Sequence, residues 1–136
     1  MALIMPGSNA ITDAEIRIGA SRNAREVHRC TTPPSAVRPG SVAARSVNGI
    51  TFTTFDAADA AMSHHLTVHA WRAVQHGACY AIDLLVFGAN PEVYDPPATP
   101  PFDDAQAFDA MRKVVQTLRF VEPQNQAAAS ASTTSR

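Results

Sequence analysis

Asn48-Gly49 constrains this chain more than any other pair of residues. Both tolerate the positive φ that a type I′ turn demands at its two central positions. They stand between two β-prone runs, VAARSV over 42–47 and ITFTTF over 50–55, so the spacing predicts a β-hairpin. A lone hairpin is marginal in water, and the sequence supplies partners for it. HHLTVHAWRAV, from His64, and CYAIDLLVFG, from Cys79, are rich in β-branched, aromatic and aliphatic residues, and QHGA joins them with Gly77 as the turn residue. Upstream, AEIRIGAS alternates with Ile16 and Ile18 on one face, as a half-buried strand does. The intervening DAADAAM, 56–62, is expected to be a short connector, since its alanines permit a helical turn too short to stand alone.

Two helices are expected beside these strands. In SRNAREVHRC, Ser21 or Asn23 can cap about two turns, with Val27 and Cys30 on the buried side. DDAQAFDAMRKVVQTLRF is the stronger helix. Asp103 or Asp104 can cap it, its acidic first turn suits the helix dipole, and Phe108, Met111, Val115 and Leu118 recur at helical spacing. Prolines exclude regular structure from TTPPSAVRPGS and from GANPEVYDPPATPPFDD, which carries five of them. The pattern predicts one α+β domain over 1–122, an antiparallel meander of four to five strands covered by two helices. EPQNQAAASASTTSR lacks aromatic residues, and 123–136 is expected to be a disordered tail.

A chain of 136 residues fits one domain, and 46% hydrophobic content is enough for a core. The net charge of −1 and the scattered arginines argue against nucleic acid as a partner, because binders of polyanions carry a basic patch or stripe. No apolar run approaches the ~20 residues that span a bilayer. The apolar start is broken at Pro6 and Gly7, follows no basic segment and is shorter than a signal-peptide core, so no leader is expected in the chain as it stands and cytoplasmic residence also fits. There is no glycine-rich phosphate loop, no dinucleotide fingerprint, no H-E-x-x-H, no G-x-S-x-G and no EF-hand spacing among Asp56, Asp59, Asp103 and Asp104. No cofactor is expected, and Asp56 and Asp59 read as solvated connector residues.

Four of the five histidines fall at 64, 65, 69 and 76. On a strand alternate residues share a face, so His65, Thr67, His69 and Trp71 point one way and His64, Leu66, Val68 and Ala70 the other. His65 and His69 then stand about 13 Å apart, whereas a zinc ion needs each ring nitrogen within about 2.1 Å. On a helix they would be i, i+4 and able to chelate, but Thr67, Val68, Trp71 and Val74 favour a strand, so no metal site is expected. In the next strand Asp83 shares a face with Cys79, Ala81, Leu85 and Phe87. Position 69 falls opposite 83 or 84, depending on the turn. Opposite 83, His69 and Asp83 would form a base with its orienting carboxylate, although no nucleophile accompanies them. The plainer reading is a half-buried polar pair. Trp71 and Tyr80, flanking the turn, are either a ligand platform or cross-strand packing. His65, His69, Trp71 and Asp83 together form the candidate ligand face.

The two cysteines, Cys30 and Cys79, make no C-x-x-C motif, which excludes a thioredoxin-type pair or a zinc knuckle. They are either two buried free thiols or one bridge. A bridge would close a loop of about 50 residues, contribute roughly 4 kcal/mol by the loop-entropy model and imply an oxidising compartment.

With these elements placed, the sequence resembles a group of bacterial proteins of unassigned activity that are usually exported to the periplasm. The resemblance is carried by Asn48-Gly49-Ile50-Thr51-Phe52, DAAMSH over 59–64, GACYAIDLLV over 77–86, NPEVYDPPATPPF over 90–102 and Leu118-Arg119-Phe120. It covers roughly 9–121. More remotely, the meander, long connection and terminal helix are similar to the C-terminal part of PsbP-like α/β/α sandwich domains, which act as assembly or interaction modules. Members of both groups usually carry further N-terminal strands and a signal peptide, so by resemblance this chain opens on a middle element and is truncated. The group carries the Cys-Tyr strand and a cysteine after the short helix, which favours a Cys30–Cys79 bridge and a periplasmic or secreted location. The resemblance implies a non-catalytic exported domain that binds a protein partner or small ligand. The alternative is a small hydrolase-like or metal-dependent enzyme using His65, His69 and Asp83. Convergence of His69, Asp83 and a further polar group in one apolar pocket is what separates the two.

Overall fold

The structure, a computed structural model, describes residues 1–121. The segment expected to be a disordered tail lies outside the described residues. Six strands form one sheet: β1 (Ala2–Ile4), β2 (Thr12–Ser21), β3 (Ala43–Val47), β4 (Ile50–Ala61), β5 (His64–Gln75) and β6 (Ala78–Ala89). Their order across the sheet is β1-β2-β6-β5-β4-β3, and every neighbouring pair is antiparallel. Two helices complete the α+β architecture, α1 (Ala24–Arg29) and α2 (Asp104–Val115).

Three successive hairpins turn on two residues each. Val47 lies opposite Ile50, Ala61 opposite His64, and Gln75 opposite Ala78. Asn48 and Gly49 have φ of 49° and 82°, and His76 and Gly77 have 52° and 75°. Both pairs have the doubly left-handed backbone of a type I′ turn, which matches the right-handed twist of the flanking strands. Met62, with φ 57°, opens the middle turn and is fully exposed. DAADAAM is therefore not a connector. Asp56 to Ala61 continue β4 and pair with His64 to His69, because β5 needs a hydrogen-bonding partner along its whole length and the alanines do not block one.

The other departure is the sixth strand. β1 is three residues long and exposed, and it pairs with β2 through Ala2↔Arg17, Leu3↔Ile16 and Ile4↔Glu15. So short a strand carries no periodicity. It is held by its ladder and by the Met5 amide donating to the Ala14 carbonyl at 2.8 Å.

The core lies between one face of the sheet and α2. Ile16 of β2, Ile82, Leu84 and Val86 of β6, Trp71 of β5 and Phe52 of β4 pack against Phe108, Met111 and Val115 of α2. The helix starts with a capping box. Asp103 accepts from the Gln106 amide at 2.7 Å, and the Gln106 side chain accepts from the Asp103 amide at 3.1 Å, so two otherwise orphaned N–H groups are satisfied. Beyond the helix, Leu118 packs on the same core, and the Asn48 side chain donates to the Leu118 carbonyl at 2.6 Å. The first hairpin turn and the end of α2 are thus tied together.

The second face carries α1. Asn23, rather than Ser21, caps it, accepting from the Arg25 and Glu26 amides. No side chain within α1 is buried, and Val27 is only half-buried. What holds the helix down is the Cys30–Cys79 disulfide, with an S–S distance of 2.08 Å and sulfurs carried on Cα atoms 5.6 Å apart. Among the described residues no helix is long and apolar enough to cross a membrane.

Two outcomes follow for stability. Replacing Met62 by Asn, which tolerates the left-handed region far better, should stabilise the fold by about 0.5–1 kcal/mol. Replacing both cysteines by alanine should cost about 4 kcal/mol, because the bond closes a long loop in the unfolded chain. Urea unfolding of each variant measures both.

Candidate functional site

The sequence places His65, His69 and Trp71 on one face, and the structure agrees, but it gives each a separate environment. His65 lies opposite Gly88, and a Cβ at position 88 would collide with its ring, so glycine is what lets the imidazole lie across β6. Its Nε2 is 3.4 Å from Asp104 Oδ2 in the first turn of α2, and the two side chains are 44% and 46% exposed. Trp71 is buried in the core, edge-on to Phe52 with ring centroids 5.8 Å apart. It is packing rather than an open platform. His69 stacks on Phe108, centroids 3.7 Å apart and planes 15° from parallel.

Of the two registers left open by the sequence, the structure takes the one that does not pair His69 with Asp83. The two-residue turn at His76-Gly77 sets position 69 opposite Leu84, so Asp83 belongs to the other face. There Asp83 accepts from Arg72 Nη1 at 2.8 Å. The carboxylate beside His69 is Asp56, its cross-strand neighbour, with Oδ1 3.8 Å from His69 Nε2. Asp56 also accepts from Arg38 Nη2 at 2.6 Å. It is a structural member of β4 and not the solvated connector residue expected. His65, His69, Trp71 and Asp83 therefore do not make one ligand face. Among the described residues no three His, Cys, Asp or Glu side chains gather closely enough to hold a metal ion.

His69 opens on a small recess of about 80 Å³, lined by Ser41, Arg45, Thr54, Asp56, Trp71 and Arg112. That volume holds about three waters at ~30 Å³ each and falls far below the ~300 Å³ of a small-molecule site. The two hydroxyls in it are committed to backbone. Ser41 accepts from the Asp56 amide at 3.1 Å, and Thr54 donates to the Ala43 carbonyl at 3.4 Å. Neither is a nucleophile held by the imidazole. Burial pushes the His69 pKa below its ordinary 6.5, Asp56 opposes that shift, and Arg112, Arg38 and Arg45 add to it.

A roomier concavity lies on the second face, a cleft of about 550 Å³ between α1, the chain just after it, and strands β2, β6, β5 and β4. Its floor is apolar, made by Gly19, Ala81, Phe55 and the Cys30–Cys79 disulfide. Arg25 and Arg29 of α1 form one rim and Arg72 of β5 the other. Arg72 is held over the Phe55 ring, 5.5 Å from its centroid, and anchored by Asp83. Gly19 sits inside β2 with no atom within 4 Å of where its Cβ would be. A strand-interior glycine weakens a sheet and marks a place of close approach. The sequence signals for this cleft are Gly19 interrupting an alternating strand and Arg25 and Arg29 four apart on a short helix. Neither reveals a cavity without the tertiary fold.

A third recess of about 580 Å³ lies beside His65, walled by Pro91, Pro100, Pro101 and the capped end of α2. Its Asp103 and Gln106 side chains are used by the capping box.

The lowered His69 pKa makes a signed prediction. The folded state binds the proton less readily than the unfolded state, so this contribution is present above 6.5 and is lost as pH falls from 6.5 toward the folded-state value. Replacing His69 with Phe, which preserves the stack on Phe108, should flatten that part of the stability–pH profile. Urea midpoints of both proteins between about pH 7.5 and about pH 5, a window that spans the ordinary histidine range, provide the measurement.

No family model matches the chain, and no curated protein matches it. Among solved structures, the chain is similar to PA94 from Pseudomonas aeruginosa, a protein of unknown function for which a regulator role has been suggested. The TM-score is 0.59 at 14% sequence identity, over 90% of this chain and 83% of that one. At that identity the likeness concerns the fold.

Proposed function

We propose that this chain is an exported, non-catalytic binding domain whose ligand occupies the cleft between α1 and the second face of the sheet. The observation that carries this reading is the cleft itself. Its volume of about 550 Å³ falls within the ~300–1,000 Å³ range of small-molecule sites, and it combines an apolar floor with a few charged groups at the rim. The open space above Gly19 supports it, because β2 gives up packing there and gains nothing else visible in return. The disulfide supports export, since such bonds persist in oxidising compartments. The resemblance to periplasmic proteins and to PsbP-like interaction modules points the same way. The catalytic alternative needs His65, His69 and Asp83 in one pocket, and they lie in different surroundings.

Gly19→Leu tests the site. No positive φ is required at position 19 and nothing stands within 4 Å of the added Cβ, so the variant should fold at least as well as the parent while filling the cleft. In a thermal-shift screen of small metabolites, a ligand at one hundred times its Kd stabilises by about 2.7 kcal/mol. That stabilisation should appear in the parent and vanish in the variant. Equal shifts in the two proteins would remove the cleft as the site. For the compartment, thiol titration of natively purified protein should find no free thiol without reductant, and two free thiols would count against export.

A further inference from the structure

We infer that the cleft takes a small anionic amphiphile, a carboxylate or phosphate head on an apolar body, free in solution; this rests on the cleft being the binding site. The floor of Gly19, Ala81, the Phe55 ring and the disulfide presents no hydrogen-bonding side chain. It suits hydrocarbon and gives no reason to bind a polar molecule all round.

The rim has the opposite character. Arg25 and Arg29 are four residues apart on α1, so their side chains rise on the same side of the helix. Among the described residues neither has an ion-pair partner. Arg72, across the cleft, donates from Nη1 to Asp83 and to the Trp71 carbonyl, at 2.8 Å and 3.1 Å, and its Nη2 makes no bond among the described residues. Asp83 therefore orients Arg72 without using up its fork. Among the described residues the only carboxylate in the lining is Glu26, which accepts from the Ser21 hydroxyl. With Asp83 already paired to Arg72, three guanidiniums meet two carboxylates, and one positive charge is left over, on the α1 side of the cleft. Positive charge left unmatched beside an apolar floor calls for an anion, and the planar guanidinium fork fits carboxylate and phosphate oxygens in pairs.

A membrane surface could offer the same head groups. The cleft is open to solvent but walled on one side by α1, and its volume of about 550 Å³ suits a single small molecule rather than a plane of lipid.

The experiment is isothermal titration of the oxidised full chain with three probes of one chain length, each below its micellar concentration: sodium decanoate, decylammonium chloride and decanol. The same titrations are run on Gly19→Leu, on Arg25→Gln/Arg29→Gln and on Arg25→Lys/Arg29→Lys. The expected result is that decanoate binds best, that Gly19→Leu abolishes its binding, and that the double Gln variant weakens it by about tenfold, the size of one charge-assisted hydrogen bond. The double Lys variant should keep most of the affinity, and decanol should be indifferent to all the arginine changes. If decanol or decylammonium binds as tightly as decanoate and is blocked by Gly19→Leu, the anionic head group is wrong while the cleft stands. If no probe binds, or Gly19→Leu changes nothing, the cleft itself fails as the site. Sedimentation with phosphatidylglycerol vesicles, without binding of free decanoate, would assign the arginines to a membrane surface and overturn the inference.

Discussion

Every side-chain position in this sheet depends on the length of its turns. Because Asn48-Gly49, Met62-Ser63 and His76-Gly77 are all two-residue loops, paired positions across each hairpin have a fixed sum, and residues directly opposite share a face. One additional residue at His76-Gly77 would move Leu84 and Val86 from the core to the other side and bring Asp83 beneath α2. The left-handed φ at Asn48, Gly49, His76 and Gly77 is the local means by which that parity is held. Burial enforces it further. Ile82, Leu84 and Val86 are almost wholly shielded, each by roughly 1.5–3 kcal/mol of transfer free energy, so a slipped register would expose a row of them at once.

The two faces that result are covered unequally. α2 has twelve residues, a full capping box and an apolar stripe, and it closes the core over β2, β6 and β5. α1 has six residues and no buried side chain of its own. A helix that short does not persist in water without outside help. The second face is therefore where the molecule has space to spare. Its charged groups, Arg72 with Asp83 and Arg17 with Glu15, are arranged on the sheet itself rather than sealed under a helix.

Much of this was legible from residues alone, for local reasons. Asn48-Gly49 carries its own turn chemistry, and Phe108, Met111 and Val115 carry helical periodicity into the core as expected. β5 and β6 are long enough for composition to identify them. β1 escaped because three residues hold no pattern. The extension of β4 escaped because alanines have little strand preference and Met62 is a poor announcement of a turn. That single miss hid the Asp56–His69 contact, since the partner of position 69 in β4 follows only once the Met62-Ser63 turn is known. The choice between Asp83 and Leu84 opposite His69 stayed open in the sequence for the same kind of reason, a parity that one turn decides. The cleft was invisible because it is a relation between α1 and strands β2, β4, β5 and β6. Its separate ingredients, a glycine and a few arginines, are ordinary in sequence.

The disulfide has a mechanical consequence for the space beside it. Cys30 closes the C-terminal end of α1 and Cys79 opens β6, so the covalent link joins one end of the helix to one end of a central strand. The opposite end of α1 is held by its Asn23 cap and by the chain leaving β2 at Ser21. With no buried side chain of its own, α1 owes its place over the cleft to these two ends, so the rim that carries Arg25 and Arg29 is positioned by a covalent bond and a cap rather than by packing.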